Sequence, residues 1–86
     1  MHERILELKV LGFLTRLVQL SGGDVTRRIG AGDVGDELGL PMEQTLWIVE
    51  TLEARGAVHG YGSLDLPDGP AVHLTARGMS ESRRAA

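Results

Sequence analysis

The sequence predicts an α+β domain in which three helices precede a β-hairpin, and three observations carry that expectation. Apolar residues recur at three- and four-residue spacing from His2 to Leu20 and again from Met42 to Arg55, the period of amphipathic helices. Two later runs, from Val58 to Leu66 and from Ala71 to Thr75, alternate small or apolar residues with polar ones, the period of strands. Breaks at Gly39-Leu40-Pro41 and Pro67-Asp68-Gly69 fall between these segments, where turns are needed.

In helix 1, expected over about 2–20, Leu6, Val10, Phe13, Leu14, Leu17 and Val18 form the core stripe. Ile5, Leu8 and Leu11 lie off that stripe, so a second face needs covering, either by the C-terminal tail or by a second copy of the chain. Ser21-Gly22-Gly23-Asp24 should end the helix, and Val25 to Ile29 reads as a lone strand beside the later hairpin. A helix-turn-helix is expected over about 31–55. In its first helix, Ala31 to Leu38, Val34 and Leu38 share a face and Gly35 permits close approach of another helix. Asp33, Asp36 and Glu37 should face water. Pro41 cannot continue that helix but suits the start of the next, whose buried stripe is Thr45, Ile48, Val49 and Leu52. Arg55-Gly56 is its stop.

The hairpin is expected over about 57–76. Pairing Leu66 with Pro70 leaves a three-residue turn, and the same register sets Leu64 opposite Val72 and Gly62 opposite Leu74. It also pairs His59 with Arg77 and Ser63 with His73, which separates the two histidines. The tail, 79–86, either begins a last helix or frays.

Composition narrows the function. Apolar residues make up 42% of the 86-residue chain but aromatic residues only 3%, so one small aliphatic core is expected, with dimerisation a plausible source of further burial. The chain has no cysteine, which excludes disulfides and thiolate metal sites. With no recognisable leader and no apolar run long enough to span a bilayer, a cytoplasmic protein without a membrane partner is expected. Net charge is −3, unfavourable for a protein that grips phosphates. Catalysis is not expected: the serines lie in turns or the tail, and Gly30 and Gly32 lack the lysine and spacing of a phosphate-binding loop. Two histidines without a third ligand do not make a metal site, so no metal or cofactor is expected.

Ala31 to Leu40 (AGDVGDELGL), Thr45 to Val58 (TLWIVETLEARGAV) and Leu74 to Gly78 (LTARG) together resemble the winged helix-turn-helix superfamily, particularly small bacterial regulators of the MarR and related types. The resemblance spans positions 31–78, a little over half the chain. It implies a three-helix core with a two- to three-stranded β-wing, and a transcriptional regulator acting as a homodimer. By that resemblance, helix 3 would enter the major groove through Met42, Glu43, Gln44 and Trp47, with Arg27, Arg28 and Arg77 on the phosphates. Gln44 is the base-reading candidate, since its amide can pair with adenine. Several residues depart from the DNA-binding pattern. Glu43, Glu50 and Glu53 make helix 3 acidic, and Asp65 and Asp68 stand at the wing tip. The alternative is a winged-helix protein-interaction or dimerisation module that does not bind DNA, using Leu46 and Trp47 on helix 3 and the apolar excess of helix 1, Ile5, Leu8 and Leu11.

Overall fold

The computed structural model describes residues 2–61 and 70–85, and the side chains of 6–61 and 70–84. The described chain is α+β, with four helices and one three-stranded antiparallel sheet. The central helix, α1 (His2–Ser21), buries Val10, Phe13, Leu14 and Leu17, the middle of the expected stripe. It ends where Gly23 N–H donates to Val18 O and Ser21 Oγ donates to the same carbonyl. The expected strand over 25–29 is shorter. Asp24 accepts hydrogen bonds from both the N–H and the hydroxyl of Thr26 and turns the chain. Only Ile29–Gly30 (β1) is extended.

The next helix, α2 (Ala31–Glu37), stops one residue before Leu38. Leu38 therefore diverges from Val34 and is 39% exposed, so the expected shared face is corrected. The turn folds back through Leu40 N–H to Gly35 O, at 2.8 Å, and Gly39 holds a φ of 69°. Helix α3 (Met42–Ala54) follows, with Pro41 just before its first residue, and buries Thr45, Ile48, Val49 and Leu52 as expected. Gly35 lies directly against Thr45, so α2 and α3 cross where a side chain would collide with the Thr45 hydroxyl. Gly56, at φ 75°, lets Ala57 N–H reach back to Leu52 O and aims the chain into the sheet.

Strand β2 (Val58–Tyr61) pairs with β3 (Ala71–Leu74), and β3 pairs on its other side with β1, giving the order β1-β3-β2. The expected register is wrong. Val58 faces Leu74, His59 faces His73, Gly60 faces Val72 and Tyr61 faces Ala71. Two distant contacts account for the shift. Ile29 and Gly30 fix Val72 and Ala71 from the far side of β3. Thr75 is tied to the α3 exit, its N–H donating to Ala57 O and its hydroxyl to Gly56 O. The shift is even, so Val58, Val72 and Leu74 remain inside, as alternation requires. The Pro67-Asp68-Gly69 turn, and the positions of Gly62, Ser63, Leu64 and Leu66, lie outside the described residues.

The tail forms a helix, α4 (Ala76–Ala85), that starts earlier than position 79. Thr75 caps it by accepting from Gly78 N–H at 3.0 Å. It packs on α1, and of that helix's off-stripe residues Leu11 is half-buried while Leu8 stays 62% exposed. No described helix is long and apolar enough to cross a membrane.

Candidate functional site

Burial of Thr45, Ile48, Val49 and Leu52 turns the opposite side of α3 outward, and that side carries Glu43, Trp47 and Glu50. All three are exposed, Trp47 by 42%. The two flanks of the helix are closed by its neighbours. Toward α1, Lys9 Nζ donates to Gln44 Oε1 at 2.9 Å, and the Arg55 guanidinium pairs with Glu7. Toward the sheet, Gly60 N–H donates to Glu53 Oε2 at 2.8 Å, which covers the free edge of β2. Glycine permits this approach, since a Cβ at position 60 would stand 3.1 Å from that oxygen. The open face is thus a tryptophan between two carboxylates, and α3 contains no lysine or arginine.

The residues expected to contact DNA separate into groups. Met42, Glu43 and Trp47 are exposed on α3, whereas Gln44 is half-buried with its amide oxygen already accepting from Lys9. Arg27, Arg28 and Arg77 lie on other elements. Arg28 sits 4.1 Å over the Tyr61 ring, and exposed Arg27 lines a groove with Asp33, Asp36 and Glu37. Arg77, on α4, lies along Gly56.

Of the residues expected to dock protein, Leu46 is half-buried and Trp47 exposed. Leu8 is 62% exposed and Leu11 half-buried; both border a groove of about 280 Å³ between α1, α3 and α4, rimmed by Glu7, Arg55 and Glu81. The Ile5 side chain lies outside the described residues.

The corrected register also assembles a ring cluster that the sequence reading missed. His59 and His73 are direct cross-strand partners with ring centroids 5.6 Å apart, and Tyr61 packs on both. His73 Nδ1 donates to Leu74 O, which leaves Nε2 to accept from the Tyr61 hydroxyl at 2.8 Å. Both nitrogens of a neutral ring are then used. Among the described residues, no three potential ligands converge on a metal position.

On the acidic side of the molecule, Arg16 forks onto both Glu37 oxygens, at 2.7 and 2.8 Å. That hydrogen-bonded cation holds the Glu37 carboxyl below its ordinary range. Compared with known protein families, curated proteins and solved structures, the chain matches none.

Proposed function

We propose that this chain is a winged-helix protein-interaction module, and that it docks protein through the outer face of α3. The winged-helix reading is supported by the element order α1-β1-α2-α3-β2-β3-α4, with β1 completing the sheet beside β3. The docking reading rests on one observation: Trp47 is 42% exposed between two exposed carboxylates, on a helix with no cation of its own. A large ring ringed by charge is the usual anatomy of an interface anchor. The same carboxylates would repel the phosphates that flank a major groove. The chemistry that complements this face is a helix or loop carrying arginines, which can fork onto Glu43 and Glu50 and stack on the indole.

DNA binding is the competing proposal, carried by the exposed arginines Arg27, Arg28 and Arg77. A fluorescence titration separates the two. Trp47 is the only tryptophan, so its emission reports the α3 face alone. An arginine-bearing amphipathic helical peptide is expected to shift that emission, and Glu43→Gln/Glu50→Gln to weaken the response. Mixed-sequence duplex DNA is expected to leave it unchanged at low salt. A DNA response that fades steeply with added salt, with none to the peptide, would reverse the assignment.

A further inference from the structure

Building on the docking reading of α3, we propose that the partner is a second copy of this chain, presenting the outer face of its α4. The two faces have opposite charge and matching spacing. Among the described side chains of α4, Ala76, Arg77, Ser80, Arg83 and Arg84 are exposed. Among the described residues, Arg77, Arg83 and Arg84 make no ion pair, and neither do Glu43 and Glu50; the two ion pairs join Arg16 to Glu37 and Arg55 to Glu7. The molecule therefore carries one uncommitted acidic helix face with a tryptophan in it and one uncommitted basic helix face.

The alignment follows from the numbering. On α3 the steps from Glu43 to Trp47 to Glu50 are four residues and then three; on α4 the steps back from Arg84 to Ser80 to Arg77 are also four and then three. Each set spans two helical turns, about 10.5 Å. With the two helices antiparallel, Glu43 meets Arg84, Trp47 meets Ser80 and Glu50 meets Arg77. Serine is small enough to receive the indole, and the flanking guanidinium groups fork onto the carboxylates. Antiparallel helices also oppose their dipoles favourably.

A two-fold pairing of like faces is disfavoured on both sides. Two α3 faces would set Glu43 against Glu50, and two α4 faces would set arginine against arginine. The contact therefore joins unlike faces: made reciprocally about a two-fold axis it closes a dimer, and made once it is head-to-tail and leaves one acidic and one basic face open. Head-to-tail assembly proceeds to a closed ring where the rotation permits and to an open chain otherwise. Because the pairs are surface pairs, it weakens with salt.

Sedimentation velocity on the whole chain tests this with two charge-reversed variants. Glu43→Arg/Glu50→Arg makes both faces basic, and Arg77→Glu/Arg84→Glu makes both acidic. The unaltered chain is expected to self-associate at low salt and to dissociate at high salt. Each variant alone is expected to lose association by about tenfold or more, and an equimolar mixture to recover it. As a control for bulk charge, the acidic variant mixed with Asp33→Arg/Asp36→Arg/Arg77→Gln/Arg84→Gln, which gains its positive charge off both faces and lacks the α4 arginines, should not associate. Circular dichroism checks folding, and Glu→Gln and Arg→Gln versions replace any variant that unfolds.

An unaltered chain that stays monomeric at low salt overturns the self-partner, as does a mixture that fails to recover. If the arginine-bearing peptide still shifts Trp47 in that case, the docking reading survives and only the partner is wrong. Self-association indifferent to Glu43, Trp47 and Glu50 also overturns the self-partner, and the docking reading falls with it only when the arginine-bearing peptide leaves Trp47 unmoved.

Discussion

Gly78 sits in the first turn of α4 against the Ala57 carbonyl, and a Cβ there would fall far inside contact distance of backbone that has no rotamer to change. Gly35 faces a similar collision, but with the movable side chain of Thr45. Alanine ordinarily favours a helix over glycine by about 1 kcal/mol, so any loss measures the collision net of that gain. Gly35→Ala is expected to cost about 1–3 kcal/mol in urea unfolding and to be relieved by Thr45→Ala. Gly78→Ala is expected to cost more, with no such relief. Position 35 was legible in the sequence, because a glycine in an otherwise apolar-patterned short helix signals a crossing. The collision at Gly78 was not, since its partner is brought in by a register that local pattern does not specify. Asp24 supplies a further residue-scale test. The hydroxyl and N–H of Thr26 hold its carboxyl below the ordinary range, so the folded state favours the ionised form. That contribution is present at neutral pH and is lost as pH falls through the lowered value. An NMR titration of Asp24 is expected to give a midpoint below the usual aspartate range, and Thr26→Ala to raise it; an unchanged midpoint would contradict the assignment.

At the scale of elements, Thr75 and Glu53 each secure an end that the backbone alone leaves open. Thr75 links strand, turn and helix, donating to Gly56 O and accepting from Gly78 N–H. Thr75→Ala is expected to destabilise the fold by about 1 kcal/mol, with Thr75→Ser recovering most of the loss. Glu53 occupies the outward-pointing N–H of Gly60 on edge strand β2. Glu53→Ala should accelerate hydrogen exchange at Gly60 while leaving the paired amides of β3 protected; equal rates would mean the edge is not covered this way. The Thr75 contacts help explain where the sequence reading went astray. Alternation fixes which side of a strand is buried, and every even shift of register satisfies it equally. The choice among those registers is made by β1, by the α3 exit and by the α4 cap, all distant in sequence from the hairpin. The helices were legible because their period is local, apart from α4, whose capping threonine reads equally well as a strand residue.

Across the whole molecule, the organising feature is the separation of charge between two helix faces on a chain of net charge −3. The sequence exposed half of this: an acidic α3 with Trp47 off the buried stripe is visible from periodicity alone. The basic half was hidden, because Arg77 read as the exit of a wing and Arg83 and Arg84 as a tail, and only the extent of α4 puts them on a helix with Ser80 between. The central claim is that α3 presents a protein-docking face and not a DNA reader. Heteronuclear NMR tests it most directly, by following the Trp47 indole N–H and the amides of Glu43 and Glu50 in two series. One raises protein concentration at low salt, and the other adds duplex DNA to dilute protein. The expected result is that these resonances move with protein concentration, together with those of Arg77, Ser80 and Arg84, and stay fixed with DNA. Movement with DNA alone would contradict the account and return α3 to the major groove.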